Sequence, residues 1–241
     1  MVGIPHHIHQ IWIGTNPKPT IWMKTIKDFC NKYGYKYTLW TNTSIKQLNF
    51  DNFPGLKDIY LATERLSGKC NILRLLILYY YGGIYIDADC VFLHPEKFTQ
   101  FLESNNDKTF LAWEDLTTEH FKKFSTNTKA NSDMYGRQKI IANSIIGAKK
   151  GDYFIENLLR EMPLYFWEHY GKGTWRETGP GYTANMYDLY KNNNVHIYPM
   201  STFYPIGWTK PTRPDQHLDY IKSKSLFFQY GYSTHNFAKK L

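Results

Sequence analysis

The most constraining feature of the sequence is one apolar run divided by a glycine pair, residues 72–86, ILRLLILYYYGGIYI. Before the glycines, apolar side chains recur at spacings of three and four, which predicts a helix over residues 59–81. Gly82 and Gly83 predict its end, because glycine takes the left-handed cap conformation without steric cost. Residues 84–93 then predict a buried strand. A chain with such a helix and strand at its centre is expected to pack helices on a sheet.

Strand and helix patterns alternate along the rest of the chain. The predicted strands cover residues 4–13, 35–40, 109–114, 140–148, 194–200 and 226–230, and the predicted helices cover residues 20–31 and 152–161. The first strands and the helix between them form a β-α-β unit. This order indicates an α/β fold with a mainly parallel sheet, in a single domain over residues 1–241. The polar segment 115–137 is predicted to be an insertion or a mobile loop.

Two carboxylates, Asp87 and Asp89, end the predicted strand. Side chains alternate along a strand, so both are expected on one face with Tyr85 behind them. Adjacent carboxylates repel each other and lose hydration there, and Mg²⁺ or Mn²⁺ would offset both costs. In open α/β sheets, ligands bind beyond the carboxyl ends of the strands. The structural alternative is a carboxylate pair that caps a neighbouring helix or meets Arg and Lys.

The charge of the chain indicates an anionic partner. Its formal net charge is +8 at pH 7, which suits phosphate groups, a membrane surface or nucleic acid. Lys and Arg are dispersed, however, and form only short pairs such as Lys122-Lys123. This dispersal argues against a nucleic-acid-binding protein and leaves an anionic acceptor or peripheral membrane contact open.

Cysteine usage and the amino terminus favour a cytoplasmic protein. Cys30, Cys70 and Cys90 lie far apart without a CxxC pair, as is typical of free thiols in a reducing compartment. The first residues lack the basic and apolar regions of a signal peptide. Arg74 and the glycine pair interrupt the longest apolar stretch, so no transmembrane helix is expected.

Five features form an ordered series along the chain. They are HQIWIG (9–14), CNILRLLILYYYGGIYIDADC (70–90), NSIIGAKKG (143–151), TGPG (178–181) and a C-terminal histidine. The series resembles the DxD-type sugar transferases of glycosyltransferase family 32, which include yeast initiating α-1,6-mannosyltransferases and bacterial polysaccharide enzymes. The catalytic domains of glucosylating clostridial toxins look similar. The resemblance implies a GT-A-type, Rossmann-like nucleotide-sugar-binding domain with a mixed, mainly parallel sheet.

The resemblance also implies a retaining transferase that uses Mn²⁺ or Mg²⁺. The donor would be a nucleotide sugar, UDP-linked in preference to GDP-mannose, and the acceptor a glycan or glycoconjugate. Asp89 would bind the metal directly, while Asp87 would reach the donor and the metal's water shell. His235 would be a third metal ligand, near Ser233 or Asn236. A lone surface histidine is the competing interpretation of His235.

The donor-binding residues implied by the resemblance lie in the first two motifs. Trp12 would stack on the base beside Ile11, Arg74 would contact the donor, and Tyr85 would line the same site. Together with the two aspartates, Arg74 would form the catalytic set. Core packing is the alternative for the tryptophan and the tyrosine. Asn71 stands where the family has an Asp that binds sugar hydroxyls, so a neutral amide replaces a charge at that position.

The acceptor side is expected at GTWRETGPGY (173–182), where aromatic faces can lie against sugar rings. The candidates are Trp175 and Tyr182, with Asn143 from the third motif. An ordinary surface loop is the alternative. The sequence does not choose between a protein nucleophile and attack by the acceptor on the face of the leaving group.

Two further functions compete with the transferase. The first is a carbohydrate- or nucleotide-binding protein that has lost catalysis, which the amide at Asn71 would mark. The second is a metal-dependent phosphohydrolase or nuclease, which needs more carboxylates than a DxD provides. Turnover of a nucleotide sugar that requires a metal separates the transferase from both.

Overall fold

The computed structural model of the protein describes residues 3–92, 94–115, 139–203 and 227–229. The strands are β1 (His7–Ile11), β2 (Lys36–Trp40), β3 (Gly83–Ile86), β4 (Cys90–Phe92), β5 (Thr109–Asp115), β6 (Lys139–Ala148), β7 (Val195–Tyr198) and β8 (Phe227–Gln229). The helices are α1 (Thr20–Tyr33), α2 (Leu56–Ala62), α3 (Leu66–Tyr81), α4 (Pro95–Ser104), α5 (Tyr153–Glu168), α6 (Thr174–Glu177), α7 (Pro180–Tyr190) and α8 (Met200–Phe203), with a 3-10 helix at Ser44–Gln47. Each strand predicted from the sequence has a counterpart here.

The central sheet has six strands in the order β2-β1-β3-β6-β5-β7. The pairs β1-β2, β1-β3 and β5-β7 are parallel, whereas β6 runs antiparallel to both of its neighbours. A separate antiparallel pair joins β4 to β8. The α/β class and the mixed, mainly parallel sheet are therefore confirmed, and so is the opening β-α-β unit.

Helices cover both faces of this sheet. One face packs on α3, α5 and α7, and the other packs on α1 and α4. Strand β3 alternates between the two cores: Tyr85 faces the first, while Ile84 and Ile86 face the second. Helix α3 is buried on all sides through its middle, since residues 71–78 are all buried. Such a helix is expected in a core rather than at a surface.

The single helix predicted over residues 59–81 is wrong, because the chain breaks between α2 and α3. Thr63 and Arg65 take extended backbone conformations, with ψ angles of 112° and 132°. The Thr63 hydroxyl donates back to the carbonyl oxygen of Ile59 (2.7 Å), which closes the end of α2. The break lets α2 pack against α5 while α3 follows the sheet.

The continuous strand predicted over residues 84–93 is also wrong. Strand β3 ends at Ile86, and residues 87–89 form a turn before β4 begins at Cys90. The amide of Cys90 donates to the Asp87 carbonyl oxygen (3.1 Å), which closes this turn. Strand alternation therefore does not govern the direction of the two aspartates.

The predicted acceptor loop at 173–182 is helical over most of its length, since it contains α6 and the start of α7. The segment 115–137, predicted to be an insertion or a mobile loop, lies outside the described residues except for Asp115. Across the described part of the chain, no helix combines the length and the apolarity needed to cross a bilayer.

The glycine pair ends α3 as predicted, although not through a left-handed cap. Gly82 has φ 61° and ψ −168°, and its amide donates to the Leu78 carbonyl oxygen (2.8 Å). Gly83 has φ 99°, and a Cβ added there would lie 2.3 Å from the carbonyl oxygen of His7 on the neighbouring strand. Only glycine therefore allows β3 to pair with β1 at this point.

We expect Gly83→Ala to lower the free energy of unfolding by about 3 kcal/mol or more, because it adds a backbone clash to an unfavourable φ. Gly34→Ala is the matched control: Gly34 also has a positive φ of 72°, but a Cβ there meets nothing within 4 Å. Its cost should be about 1 kcal/mol. Urea unfolding of both variants checks this, and equal losses would contradict the clash.

A buried histidine in β1 is expected to make stability depend on pH. His9 is fully buried, its Nε2 lies 2.9 Å from the Gly82 carbonyl oxygen, and the Trp40 indole N–H donates to its Nδ1 (3.2 Å). The ring is therefore neutral and donates from Nε2. Burial, and then the nearby charge of His7, lowers the pKa of His9 to about 3.

Below pH 6.5 the unfolded chain binds a proton at His9 that the folded chain refuses, so stability should fall as the pH drops from 6.5 to 4. The contribution of this group over that range is at most about 3 kcal/mol. Urea unfolding at several pH values should show a shallower pH dependence for His9→Gln, whose amide can both donate and accept. Parallel profiles for the two proteins would exclude His9 as a source of this dependence.

Candidate functional site

A cavity of about 630 Å³ opens beside the carboxyl ends of β1 and β3. The start of α3, the middle of β6 and the α6–α7 segment complete its walls. Its volume is in the range of small-molecule and cofactor sites. The polar residues that matter for its chemistry are Asn71, Arg74, Asp87, Asp89, Asn143 and Ser144.

The two aspartates reach this cavity from the turn after β3. The sheet holds that turn from both sides: the Asp87 amide donates to the Ser144 carbonyl oxygen of β6 (2.8 Å), and the Gln10 side chain of β1 donates to the Asp87 carbonyl oxygen (3.2 Å). Asp87 and Asp89 both line the cavity. The expectation that they face one site thus holds, but through a turn rather than through strand alternation.

The carboxylate of Asp87 has two partners. The Tyr85 hydroxyl donates to its Oδ1 (2.6 Å), and the Arg74 guanidinium lies 3.4 Å from the same oxygen. The guanidinium also lies over the Tyr85 ring, 4.5 Å from its centroid. The sequence also allowed a structural role in which the carboxylates meet Arg or Lys, and the contact of Asp87 with Arg74 fits that role.

The carboxyl group of Asp89 is in a different environment. Burial raises its pKa well above the usual range, and the negative charge of Asp87 adds to the shift. The nearby Arg74 acts in the opposite direction, but more weakly. A positive charge at this position would stabilise the ionised form of Asp89.

Arg74 is 5% exposed and lies on the cavity side of α3. Its Nε donates to the Cys70 carbonyl oxygen (3.2 Å), and its Nη1 donates to the Asn143 carbonyl oxygen of β6. A buried guanidinium needs such acceptors and an anion nearby, and Asp87 provides the anion.

Two asparagine side chains form a hydrogen-bonded pair in the wall. Asn143 donates from Nδ2 to Oδ1 of Asn71 (3.1 Å), and Asn71 donates from Nδ2 to the hydroxyl of Thr178 (3.2 Å). Both asparagines are more than nine-tenths buried and both line the cavity. Asn143, predicted on the acceptor side, therefore lies beside Asn71.

Trp12 and Ile11 lie at the end of β1, where both line the cavity. The Trp12 indole N–H donates to the Asn16 carbonyl oxygen (2.9 Å), and the ring is half-buried. This position differs from that of Trp40, whose side chain is 2% exposed inside the core. Trp12 therefore lines the cavity, whereas Trp40 lies inside the core.

Of the two aromatic residues predicted on the acceptor side, the structure places one at the cavity and the other in the core. Trp175 lies in α6 and lines the cavity. Tyr182 as an acceptor residue is wrong, because its ring is fully buried in α7 and its hydroxyl donates to the Leu158 carbonyl oxygen. Helix formation from residue 180 turns this ring toward α5 and away from the cavity.

The predicted third metal ligand, His235, lies outside the described residues, as do Ser233 and Asn236. Within residues 3–92, 94–115, 139–203 and 227–229, no group of three His, Cys, Asp or Glu side chains is arranged to hold a metal ion.

Three polar residues of the site were not predicted from the sequence: Gln10, Ser144 and Thr178. Each lies inside one of the motifs HQIWIG, NSIIGAKKG and TGPG, and its place in the motif is the sequence signal that could have identified it. The motifs do not show which residue each one contacts, because each contact joins segments that are far apart in the chain.

Comparison with known proteins gives this cavity a context. The model of the family described as "Glycosyltransferase sugar-binding region containing DXD motif" matches residues 19–108. Inositol phosphoceramide mannosyltransferase 3 of Schizosaccharomyces pombe is 25% identical over 169 residues, which cover 70% of this chain and 40% of that protein. The uncharacterized glycosyltransferase L373 of Acanthamoeba polyphaga mimivirus is 34% identical over 91 residues, 36% of each chain.

Among solved structures, the PaToxG glycosyltransferase superposes with a TM-score of 0.55 at 16% identity, covering 78% of this chain and 70% of that one. This likeness shows the fold, which is GT-A. The family match includes both aspartates of the turn, as well as Asn71 and Arg74. Residues 19–108, which contain the DXD turn, are thus similar to the glycosyltransferase sugar-binding regions that this family model describes.

Proposed function

We propose that this chain is a metal-dependent, retaining glycosyltransferase that moves a sugar from a nucleotide-sugar donor to a glycan or glycoconjugate acceptor. The observation that carries the proposal is the cavity in which two aspartates, a buried arginine and two buried amides meet. The likeness to glycosyltransferases supports it, although the chain spans only 40% of the length of the first curated relative.

The DxD turn fits a divalent cation. Its ligands would be carboxylate oxygens, which Mg²⁺ and Mn²⁺ prefer. Burial, and then the charge of Asp87, raises the pKa of Asp89, and a bound cation would offset both costs. Asp89 would hold the cation directly, because Tyr85 and Arg74 already engage one oxygen of Asp87. His235 stays our predicted third ligand. When bound, the cation supplies Lewis-acid stabilisation of the charge that develops on the leaving diphosphate.

The chain's own residues would place the donor around that turn. Trp12 offers a half-buried ring for stacking on the base, with Ile11 beside it. Arg74 would neutralise negative charge close to the aspartates, and its bonds to backbone carbonyls fix its position before the donor arrives. The amides of Asn71 and Asn143 would hydrogen-bond sugar hydroxyls. Pre-set groups of this kind lower the barrier because they need no reorganisation during the reaction.

The acceptor would approach past Trp175, which lines the cavity from α6. An aromatic face beside the mouth of a cavity suits the apolar side of a sugar ring. Retention then requires the acceptor to attack on the face that the diphosphate leaves, or a protein nucleophile to intervene. Among the described residues that line the cavity, the carboxylates are the two aspartates of the turn, which the proposal assigns to the cation. This favours same-face attack.

Two sources of information point to different donors. The sequence resemblance favours a UDP-sugar, whereas the curated relative of Schizosaccharomyces pombe is named a mannosyltransferase. A mannosyl donor is therefore tested beside the uridine donors, and the cleaved donor decides between them.

Cleavage of a nucleotide sugar tests the proposal directly. Incubation with UDP-glucose, UDP-galactose, UDP-N-acetylglucosamine and GDP-mannose should release nucleoside diphosphate from one donor in the presence of Mn²⁺. Asp89→Ala should lower that rate by at least about 100-fold, because it removes a direct ligand. Asp58→Ala, an exposed aspartate on α2, should keep the rate of the unmodified protein.

Removal of Mn²⁺ with EDTA should stop the reaction, and added Mn²⁺ should restore it. If a donor binds in a metal-dependent way but stays intact even with candidate acceptors, the chain is the binding protein that has lost catalysis. If no donor binds, the transferase proposal fails.

Stacking of Trp12 on the base can be tested separately. Trp12→Ala should raise the donor KM about tenfold, because stacking on an aromatic side chain is worth about 1–3 kcal/mol per base. The effect on kcat should be smaller, since the ring is proposed to contact the base and not the reacting sugar. Trp167→Ala is the control, because Trp167 is 52% exposed on α5 and does not line the cavity. An unchanged KM for Trp12→Ala would contradict stacking.

A further inference from the structure

A chain of hydrogen bonds connects the α6–α7 segment to the wall of the cavity. The Thr178 hydroxyl donates to the Thr174 carbonyl oxygen (3.3 Å) and accepts from Nδ2 of Asn71 (3.2 Å). Oδ1 of Asn71 in turn accepts from Nδ2 of Asn143 (3.1 Å). We call Thr178, Asn71 and Asn143 the relay. Asn71 lies in α3, Asn143 lies in β6, and Thr178 lies between α6 and α7.

The Thr174 carbonyl oxygen fixes which group donates and which accepts in each hydrogen bond of the relay. A carbonyl oxygen such as that of Thr174 can only accept, so the single hydroxyl proton of Thr178 points to it. The hydroxyl then offers a lone pair to Asn71, which must present its NH₂ group. The carbonyl oxygen of that amide consequently faces Asn143, which must also present NH₂.

The far end of the relay is therefore Oδ1 of Asn143. No residue in the described part of the chain donates a hydrogen bond to this oxygen. Asn143 is 8% exposed and lines the cavity, so the oxygen is an acceptor for a bound ligand. An amide could present either end to a ligand, and here the relay selects the oxygen.

Thr178 acts from outside the cavity. It is 1% exposed and does not belong to the lining. The next residue, Gly179, keeps the contact close, since a Cβ there would lie 3.1 Å from Nδ2 of Asn71 and 2.9 Å from the Thr174 carbonyl oxygen. The hydroxyl is thus pressed against the amide that it orients.

We propose that Thr178 is a positioning residue that sets the polarity of the sugar-binding wall, so that Asn143 presents a hydrogen-bond acceptor to one hydroxyl of the donor sugar. The inference rests on the proposed function. Without the Thr178 hydroxyl, nothing in the relay fixes either amide, and the wall can present an NH₂ group where the sugar hydroxyl needs an oxygen.

The test compares variants on the donor that the unmodified protein cleaves. Thr178→Val keeps the shape but removes the hydroxyl, and we expect kcat/KM for the donor to fall about tenfold. Thr178→Ser keeps the hydroxyl and should restore most of the loss. Thr183→Val is the matched control, because Thr183 is a buried threonine that donates in the same way to a carbonyl oxygen four residues earlier, that of Gly179.

Donors that lack one sugar hydroxyl show whether Thr178→Val changes recognition of that hydroxyl or disturbs the structure in general. For the unmodified protein, replacing the recognised hydroxyl by hydrogen should lower kcat/KM strongly, since a site built to bond a hydroxyl rejects its absence. In Thr178→Val that penalty should shrink to less than about threefold, while Thr183→Val should keep it. Thr178→Ala gives the same comparison if valine prevents folding, which thermal unfolding reveals.

Failure of this proposal differs from failure of the proposed function. If the unmodified protein cleaves a donor and Thr178→Val retains the full deoxy penalty, the relay proposal is overturned and the transferase stands. If Thr183→Val reduces the penalty equally, the effect is structural and the relay proposal is again overturned. If the unmodified protein binds no donor, both proposals fall.

Discussion

The cavity depends on the buried guanidinium of Arg74. This one group bonds to the backbone of α3 and of β6, lies over the Tyr85 ring of β3, and approaches the carboxylate of Asp87. A buried cation is costly unless acceptors and an anion surround it, so these contacts are mutually dependent. The helix, the two strands and the DxD turn are consequently held in one arrangement, which is the arrangement that brings the chemical groups together.

The electrostatics of the two aspartates follow from the same arrangement. Asp87 is near a cation and accepts from a hydroxyl, whereas burial and a like charge raise the pKa of Asp89. Two carboxylates separated by one residue thus have unequal environments. In the proposed mechanism, this inequality divides the work: one carboxylate is kept in place by the protein, and the other is left to a metal ion.

Much of this fold could be predicted from sequence periodicity, because α3 is apolar all round and β3 alternates between two cores. The errors arose where local conformation depends on distant contacts. The break at Thr63 lets α3 pack against the sheet as well as α5 while α2 packs against α5, and the turn after Ile86 is held by Ser144 and Gln10. Periodicity within a segment carries no information on such contacts.

The site was predictable to a similar degree. Motif resemblance identified Trp12, Arg74 and the two aspartates as cavity residues, and the structure brings them together. It failed for Tyr182, whose ring a helix turns into the core, and it did not find Thr178, whose importance depends on an amide 107 residues away.

The burial of α3 has a consequence for how this chain can change over evolution. Asn71 and Arg74 lie among core residues of the same helix, so their replacement alters packing as well as the cavity wall. Trp175, by contrast, lies on the four-residue helix α6 outside the sheet. The groups proposed to contact the donor sugar are therefore tied to thermal stability, while the Trp175 side chain, proposed to contact the acceptor, is only partly buried and can change with less effect on the core. New acceptors should be easier to acquire than new donors.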